Sequence, residues 1–150
     1  IASLEQTEFD GEADIAAAVT GCETGTRDGL TVIISDFLTD SNWKKAVDYL
    51  RYKNRQVLLL QVLTPEELDP GYSGNVNLMD AEATDPFDSR NMRLKITSGM
   101  LAAYDEALRD FLADMKSFCS SRDTGYITVN SKEPIERVLF GELLKVGIMQ

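Results

Sequence analysis

Apolar residues recur along this chain in two patterns, one continuous and one with helical spacing. Residues 30–34, Gln56–Leu63 and residues 126–129 are nearly uninterrupted runs of β-branched and aliphatic side chains. Such runs are typical of strands buried on both faces of a sheet. We therefore predict three interior strands, the first of which runs directly into Ser35 and Asp36.

Four other segments have the 3.6-residue spacing of amphipathic helices. They are residues 11–19, residues 42–52, Ser98–Ser120 and a final helix that Ser131 caps, with Pro134 in its first turn. The apolar side of the second helix consists of Trp43, Ala46, Val47 and Leu50. The long third helix carries a stripe of methionine, leucine and aromatic residues, which we interpret as core packing in preference to a partner groove.

The order of these elements predicts the fold class. Strand, helix and strand follow one another with short links over residues 30–63, which indicates a βαβ unit and a parallel strand pair. Residues 75–84 and 92–97 indicate two further strands joined by a turn-rich link. We predict one α/β domain over residues 1–150, Rossmann-like, with a mainly parallel sheet, flanking helices and an added antiparallel hairpin.

Composition and charge exclude several classes of function. The 25 acidic against 15 basic residues give a net charge of −10, which argues against binding to nucleic acids or anionic membranes. The chain contains no histidine, so Ser-His-Asp and Cys-His catalysis are excluded. Cys22 and Cys119 lack metal-ligand spacing; we expect Cys119 to be a buried thiol, and a disulfide between the two stays open.

Asp36 is the most suggestive candidate for a functional residue. Ligands of open α/β sheets bind beyond the carboxyl ends of the strands, and a carboxylate there suits a hard cation. The alternative is a turn in which the Asp36 carboxylate accepts hydrogen bonds from the backbone N–H groups of Leu38 or Thr39. Ser35 is predicted to be a hydroxyl bonded to the backbone, since no base is available to make it a nucleophile.

Other acidic residues have structural and functional interpretations. Asp80 and Glu82 lie two apart on a predicted strand and so share a face, as a solvated hairpin surface or as a cation site. Glu66 and Glu67 are predicted to stabilise the start of a short helix through its dipole.

Four short motifs in a fixed order resemble a known family. They are GEADI at residues 11–15, ISDF at 34–37, TPEELDP at 64–70 and LMDAEATD at 78–85. This succession resembles the von Willebrand factor A-like domain of bacterial proteins that are often encoded beside MoxR-type AAA+ ATPases. The resemblance extends over most of the chain from residue 11 onward and implies a Rossmann-like sheet.

The resemblance also implies a metal-ion-dependent adhesion site that would hold Mg²⁺ or Mn²⁺. Asp36 matches the late aspartate of such sites, whereas Ala13 stands where the family has a threonine. The D-x-S-x-S motif of the family occurs nowhere in the chain and would belong before Ile1. Because Mg²⁺ needs more than one protein oxygen in most sites, we expect a degenerate site and no resident metal in this chain.

Two classes of function follow. The first is a non-enzymatic protein–protein interaction module, acting with a MoxR-type ATPase or its client, with or without a bridging divalent cation. Where a cation bridges the two proteins, Asp36 binds it directly or indirectly and the partner offers a carboxylate to an open position. The second is a magnesium-dependent Rossmannoid hydrolase that uses Asp36, Asp80 and Glu82, which requires the three carboxylates to converge.

The resemblance carries expectations about the molecule as a whole. If the N-terminal part of the sheet is missing, the strand at residues 30–34 exposes an apolar edge, which a dimer or a preceding segment must cover. No signal peptide or transmembrane run occurs in the sequence. We expect a cytoplasmic domain, or the soluble part of a membrane-anchored protein.

Overall fold

Strands and helices alternate along the described part of the chain. The structure is a computed structural model and describes residues 14–21, 29–39, 42–72, 74–78 and 92–142. The elements are α1 (Ile15–Gly21), β1 (Leu30–Ser35), α2 (Trp43–Tyr52), β2 (Gln56–Leu63), α3 (Pro65–Leu68), β3 (Gly74–Leu78), β4 (Met92–Ile96), α4 (Ser98–Ser120), β5 (Gly125–Asn130) and α5 (Ile135–Arg137). A π-helical turn, Val138–Glu142, continues from α5.

The main sheet is parallel and has the strand order β1-β2-β5. Leu59 at its centre lies opposite Ile33 on β1 and Tyr126 on β5. Strands β3 and β4 form a separate antiparallel pair. The predicted α/β architecture is confirmed, with a parallel sheet, flanking helices and an antiparallel addition, consistent with a Rossmann-like fold.

The larger core lies on one face of the sheet, under α2 and the second half of α4. All four predicted apolar residues of α2 are buried there: Trp43, Ala46, Val47 and Leu50. They pack with Ile33, Val57 and Leu59 from the sheet and with Met115 and Cys119 from α4. The N-cap of α2 is Asn42, whose side chain accepts a hydrogen bond from the Lys45 N–H.

The prediction that β1 is buried on both faces is wrong for the opposite face of the sheet. Val138 covers Leu58 and Ile127 in a small second cluster. The side chains of β1 on that face remain exposed, with Leu30 at 40%, Val32 at 43% and Ile34 at 64%. The cause is position, because β1 is the edge of the described sheet and the second cluster is centred on β2 and β5.

Two helical predictions also need correction. Helix α4 has the predicted bounds, but its apolar stripe is not core packing along its whole length. The first half lies outside the core, since Met100 is 43% and Tyr104 38% exposed. The last helix begins after Pro134 as its N-cap, not at Ser131, and Ile135 in its first turn is 66% exposed. No helix among the described ranges is both long and apolar enough to cross a bilayer.

Candidate functional site

The carboxyl ends of β1, β2 and β5 bring three short segments to one edge of the sheet. Because the strands are parallel, residues 36–39, residues 64–68 and residues 131–133 all follow strand ends at that edge. This is the edge at which α/β folds place ligands. We call it the carboxyl edge.

Asp36 lies at the carboxyl edge and is exposed, as predicted. Its Oδ1 accepts a hydrogen bond from the Leu38 N–H at 3.0 Å, and the Ser35 hydroxyl donates to the same atom at 3.4 Å. The predicted turn-forming interaction with Leu38 is therefore confirmed. Beside the carboxylate, the Leu38 side chain is 51% exposed, so the turn presents an acidic and an apolar group together.

Phe37 holds the turn in an unusual conformation. Its φ is 60°, in the left-handed region that costs an L-residue about 1–2 kcal/mol. The ring is 1% exposed and lies edge-on to Trp43, with ring centroids 5.6 Å apart. The Phe37 N–H donates to Ser35 Oγ at 3.0 Å, which confirms that the Ser35 hydroxyl is bonded to backbone. Burial of the ring thus anchors a turn whose backbone is strained.

Gln61 connects this turn to the centre of the sheet. Its side chain is fully buried, and its Nε2 donates to the Asp36 carbonyl oxygen at 2.9 Å. Its Oε1 accepts a hydrogen bond from the Tyr126 hydroxyl at 2.6 Å. The sequence analysis did not single out Gln61. The available signal was a polar residue inside the apolar run of β2, because a buried amide must find hydrogen-bond partners.

The segment after β2 is fixed by a capping box. Thr64 Oγ1 accepts from the Glu67 N–H at 3.2 Å, and Glu67 Oε2 accepts from the Thr64 N–H at 2.6 Å. The predicted role of Glu67 at the start of a short helix is confirmed. Glu66 also lies in the first turn of α3, as predicted, and in addition pairs with Lys132 at 2.9 Å; the hydrogen bond from that ammonium lowers the pKa of the Glu66 carboxyl.

The described residues do not by themselves supply a Mg²⁺ or Mn²⁺ site. No three acidic or cysteine side chains converge anywhere in the ranges that the structure describes. Asp36 is a single carboxylate with one oxygen already hydrogen-bonded within its own turn. Ala13, Asp80 and Glu82 lie outside the described residues, so Asp36 as a metal ligand, and the convergence that the hydrolase alternative requires, stay predictions.

Two ionisable groups of the larger core, the buried Cys119 and the half-buried Tyr126, have raised pKa values. Burial raises the pKa of the Cys119 thiol to about 11, and the thiol is free, as predicted. Burial also raises the pKa of the Tyr126 hydroxyl. Both groups are therefore neutral at physiological pH, and Tyr126 can donate to Gln61 throughout that range. Cys22 itself lies outside the described residues.

Known proteins share sequence with most of this chain. A family model described as "Protein of unknown function DUF58" matches residues 3–106. The uncharacterised protein Rv1480 of Mycobacterium tuberculosis is 33% identical over 84 residues, covering 55% of this chain and 26% of that protein. The uncharacterised protein MAV169 of Mycobacterium avium is 32% identical over 83 residues, covering 55% of this chain and 48% of that protein. The chain thus spans about a quarter of the first relative's length and about half of the second's.

A solved structure is also similar to this chain. The conserved hypothetical protein BatB from Bacteroides thetaiotaomicron gives a TM-score of 0.43 at 15% sequence identity. The match covers 97% of this chain and 64% of the BatB chain.

Proposed function

The chain belongs to the DUF58 family of proteins of unknown function, and we propose that it is a non-enzymatic protein–protein interaction module. The proposed module is von Willebrand A-like and binds a MoxR-type AAA+ ATPase through its carboxyl edge. The observation that carries the proposal is the turn after β1, which presents the exposed Asp36 carboxylate and the exposed Leu38 side chain together.

The rigidity of that turn supports a binding role. The Asp36 carboxylate is held by the Leu38 N–H, and the Asp36 carbonyl is held by Gln61. A partner that docks on a pre-formed turn loses less conformational entropy than one that must order a loop. A partner with a basic group beside an apolar pocket would match the two exposed side chains, and the net charge of −10 favours its approach.

The proposal requires no resident metal. A divalent cation bridging the two proteins would take Asp36 as one ligand and would need oxygens from the partner for the remainder. The direct version, in which Asp36 pairs with a basic side chain of the ATPase, needs nothing beyond the described geometry. Since the proposed partner is an ATPase of the cell interior, the proposal places the module in the cytoplasm.

Calorimetric titration of a purified MoxR-type ATPase into the full chain tests the proposal. We expect Asp36→Asn to weaken binding by about tenfold or more, because it removes the charge from the presented turn. Asp110→Asn is the matched control, since it makes the same charge change on the exposed surface of α4. Absence of binding by the wild type, or equal binding by Asp36→Asn, would contradict the proposal.

The same titration separates the direct version from the cation-bridged one. We expect the affinity to be unchanged when EDTA replaces Mg²⁺ in the buffer. A wild-type affinity that falls with EDTA and returns with Mn²⁺, while the affinity of Asp36→Asn responds to neither, would instead support the cation-bridged version.

A further inference from the structure

Gln61 occupies a central position in the sheet beneath the candidate site. In the parallel register it lies opposite Ser35 on β1 and Thr128 on β5. It is one of two buried polar or charged residues among those that the structure describes, the other being Thr124. Gln61 therefore joins the two outer strands of the sheet at the level where β1 gives way to the Asp36 turn.

Both polar atoms of the Gln61 amide are used, and their partners fix its orientation. The Asp36 carbonyl oxygen can only accept, so the amide nitrogen must face it. The amide oxygen then faces the Tyr126 hydroxyl, which donates to it. The Thr128 hydroxyl donates in turn to the Tyr126 oxygen at 2.9 Å. A chain of hydrogen bonds thus runs from β5 through Gln61 to the turn after β1.

Gln61 directly constrains one peptide group, the one between Asp36 and Phe37. The peptide between Asp36 and Phe37 is held at its oxygen by Gln61 Nε2 and at its nitrogen by Ser35 Oγ. These two bonds fix the torsions on either side of the peptide, including the positive φ of Phe37. The direction of the Asp36 carboxylate depends on these torsions, because the side chain departs from the adjacent Cα atom.

We propose that Gln61 is a positioning residue that, through Tyr126, holds the Asp36 turn in its binding conformation. The inference deepens the proposed function and rests on it for the role of Asp36 in partner binding. A simpler role for Gln61, stabilising the sheet as a whole, predicts a different result in the experiment below.

Hydrogen exchange of individual amides in the intact chain distinguishes local positioning from general stabilisation. We expect Gln61→Leu to speed exchange at the Phe37 and Leu38 amides by about tenfold more than at the Leu59 amide, which lies in the central strand. Thr124→Val is the matched control, because it also removes a buried polar group, here a hydroxyl bonded to the Arg122 carbonyl, but one with no bond to the Asp36 turn. It should change exchange at all three amides by the same factor.

Tyr126→Phe provides a second variant that keeps the ring and removes one hydroxyl. Its hydroxyl does not touch the Asp36 turn, so any local effect there must pass through Gln61. We expect faster exchange at Phe37 and Leu38 in this variant too, by a smaller factor than in Gln61→Leu. Uniform changes across the three amides in both variants would overturn the proposal. If Gln61→Leu does not fold, Tyr126→Phe alone decides between these outcomes.

Binding to a MoxR-type ATPase tests whether the positioning acts through Asp36. Gln61→Leu should weaken binding by about tenfold, and the double variant with Asp36→Asn should bind no more weakly than Asp36→Asn alone. Fully additive losses would contradict the inference. If the wild type does not bind the ATPase, the proposed function fails, and the exchange data still decide whether Gln61 holds the turn.

Discussion

At the scale of single residues, the turn after β1 depends on a balance between strain and packing at Phe37. The backbone of Phe37 has a φ of 60°, while its ring is buried against Trp43. Such a conformation persists only where the surroundings determine it strongly, and these conformations concentrate at binding sites. The position of Phe37 next to Asp36 fits that pattern.

Truncation of the Phe37 ring should therefore be costly. We expect Phe37→Ala to lower the free energy of unfolding by about 3–5 kcal/mol, the range for loss of a buried phenyl ring. Urea unfolding monitored by Trp43 fluorescence measures the change. A loss of under about 1 kcal/mol would show that the ring does not anchor the turn, since surface substitutions cost no more than that.

Titration of Cys119 should make the free energy of unfolding depend on pH in the alkaline range. Burial raises its pKa from 9.0 to about 11, so the folded state retains a proton that the unfolded chain releases. The resulting stabilisation is fully present below pH 9.0 and is lost as the pH rises towards about 11. Comparing wild type with Cys119→Ala isolates this effect, because Tyr126 titrates in both. The difference in unfolding free energy should fall over this window; a constant difference would contradict the assignment.

At the scale of elements, the positions of the strands and helices were predictable from the sequence, but how far each element is buried was not. The continuous run at β1 and the helical spacing at α2 identify both elements, because each pattern matches one backbone period. A run of apolar residues does not reveal which neighbours cover it, so β1 was placed inside and lies at an edge. The same holds for the first half of α4.

The candidate site was also only partly predictable, because local patterns identify Asp36 but not the residues that contact its turn from other strands. Asp36 follows directly from its place after a strand, and the Leu38 hydrogen bond follows from the turn chemistry of aspartate. The contribution of Gln61 depends on Tyr126, which is 65 residues away in the chain. Local patterns cannot specify such a contact without the strand register.

The exposed face of β1 leads us to predict self-association of the chain. Ile34 is 64% exposed, and β1 carries no charge or proline to discourage pairing with another strand. We predict that the isolated chain self-associates through this strand and that Ile34→Lys reduces the association. Unfolding free energy should change by only about 0.5 kcal/mol, as for a surface substitution.

Sedimentation velocity over a range of protein concentrations measures the association. Tyr52→Lys is the matched control, since it introduces the same charge at an apolar residue that is 81% exposed on α2 instead of β1. A wild-type chain that stays monomeric, with Val32 and Ile34 open to solvent, would contradict the predicted dimer or neighbouring segment.

At the scale of the whole molecule, the described α/β fold carries hydrogen-bonded polar segments at the carboxyl edge of its parallel sheet. Asp36, the Glu66–Lys132 ion pair and the Thr64 capping box follow three parallel strands and lie on segments that hydrogen bonds hold in place. We propose that this edge is the surface that binds a protein partner.

Mapping the residues that contact the partner by NMR tests whether the carboxyl edge is the binding surface. In spectra of the ¹⁵N-labelled chain titrated with an unlabelled MoxR-type ATPase, we predict selective broadening of the Phe37, Leu38 and Lys132 amides. The amides of Asp105 and Asp110 on the exposed surface of α4 should be affected least. Broadening centred on α4 with the Leu38 amide unchanged would contradict the account.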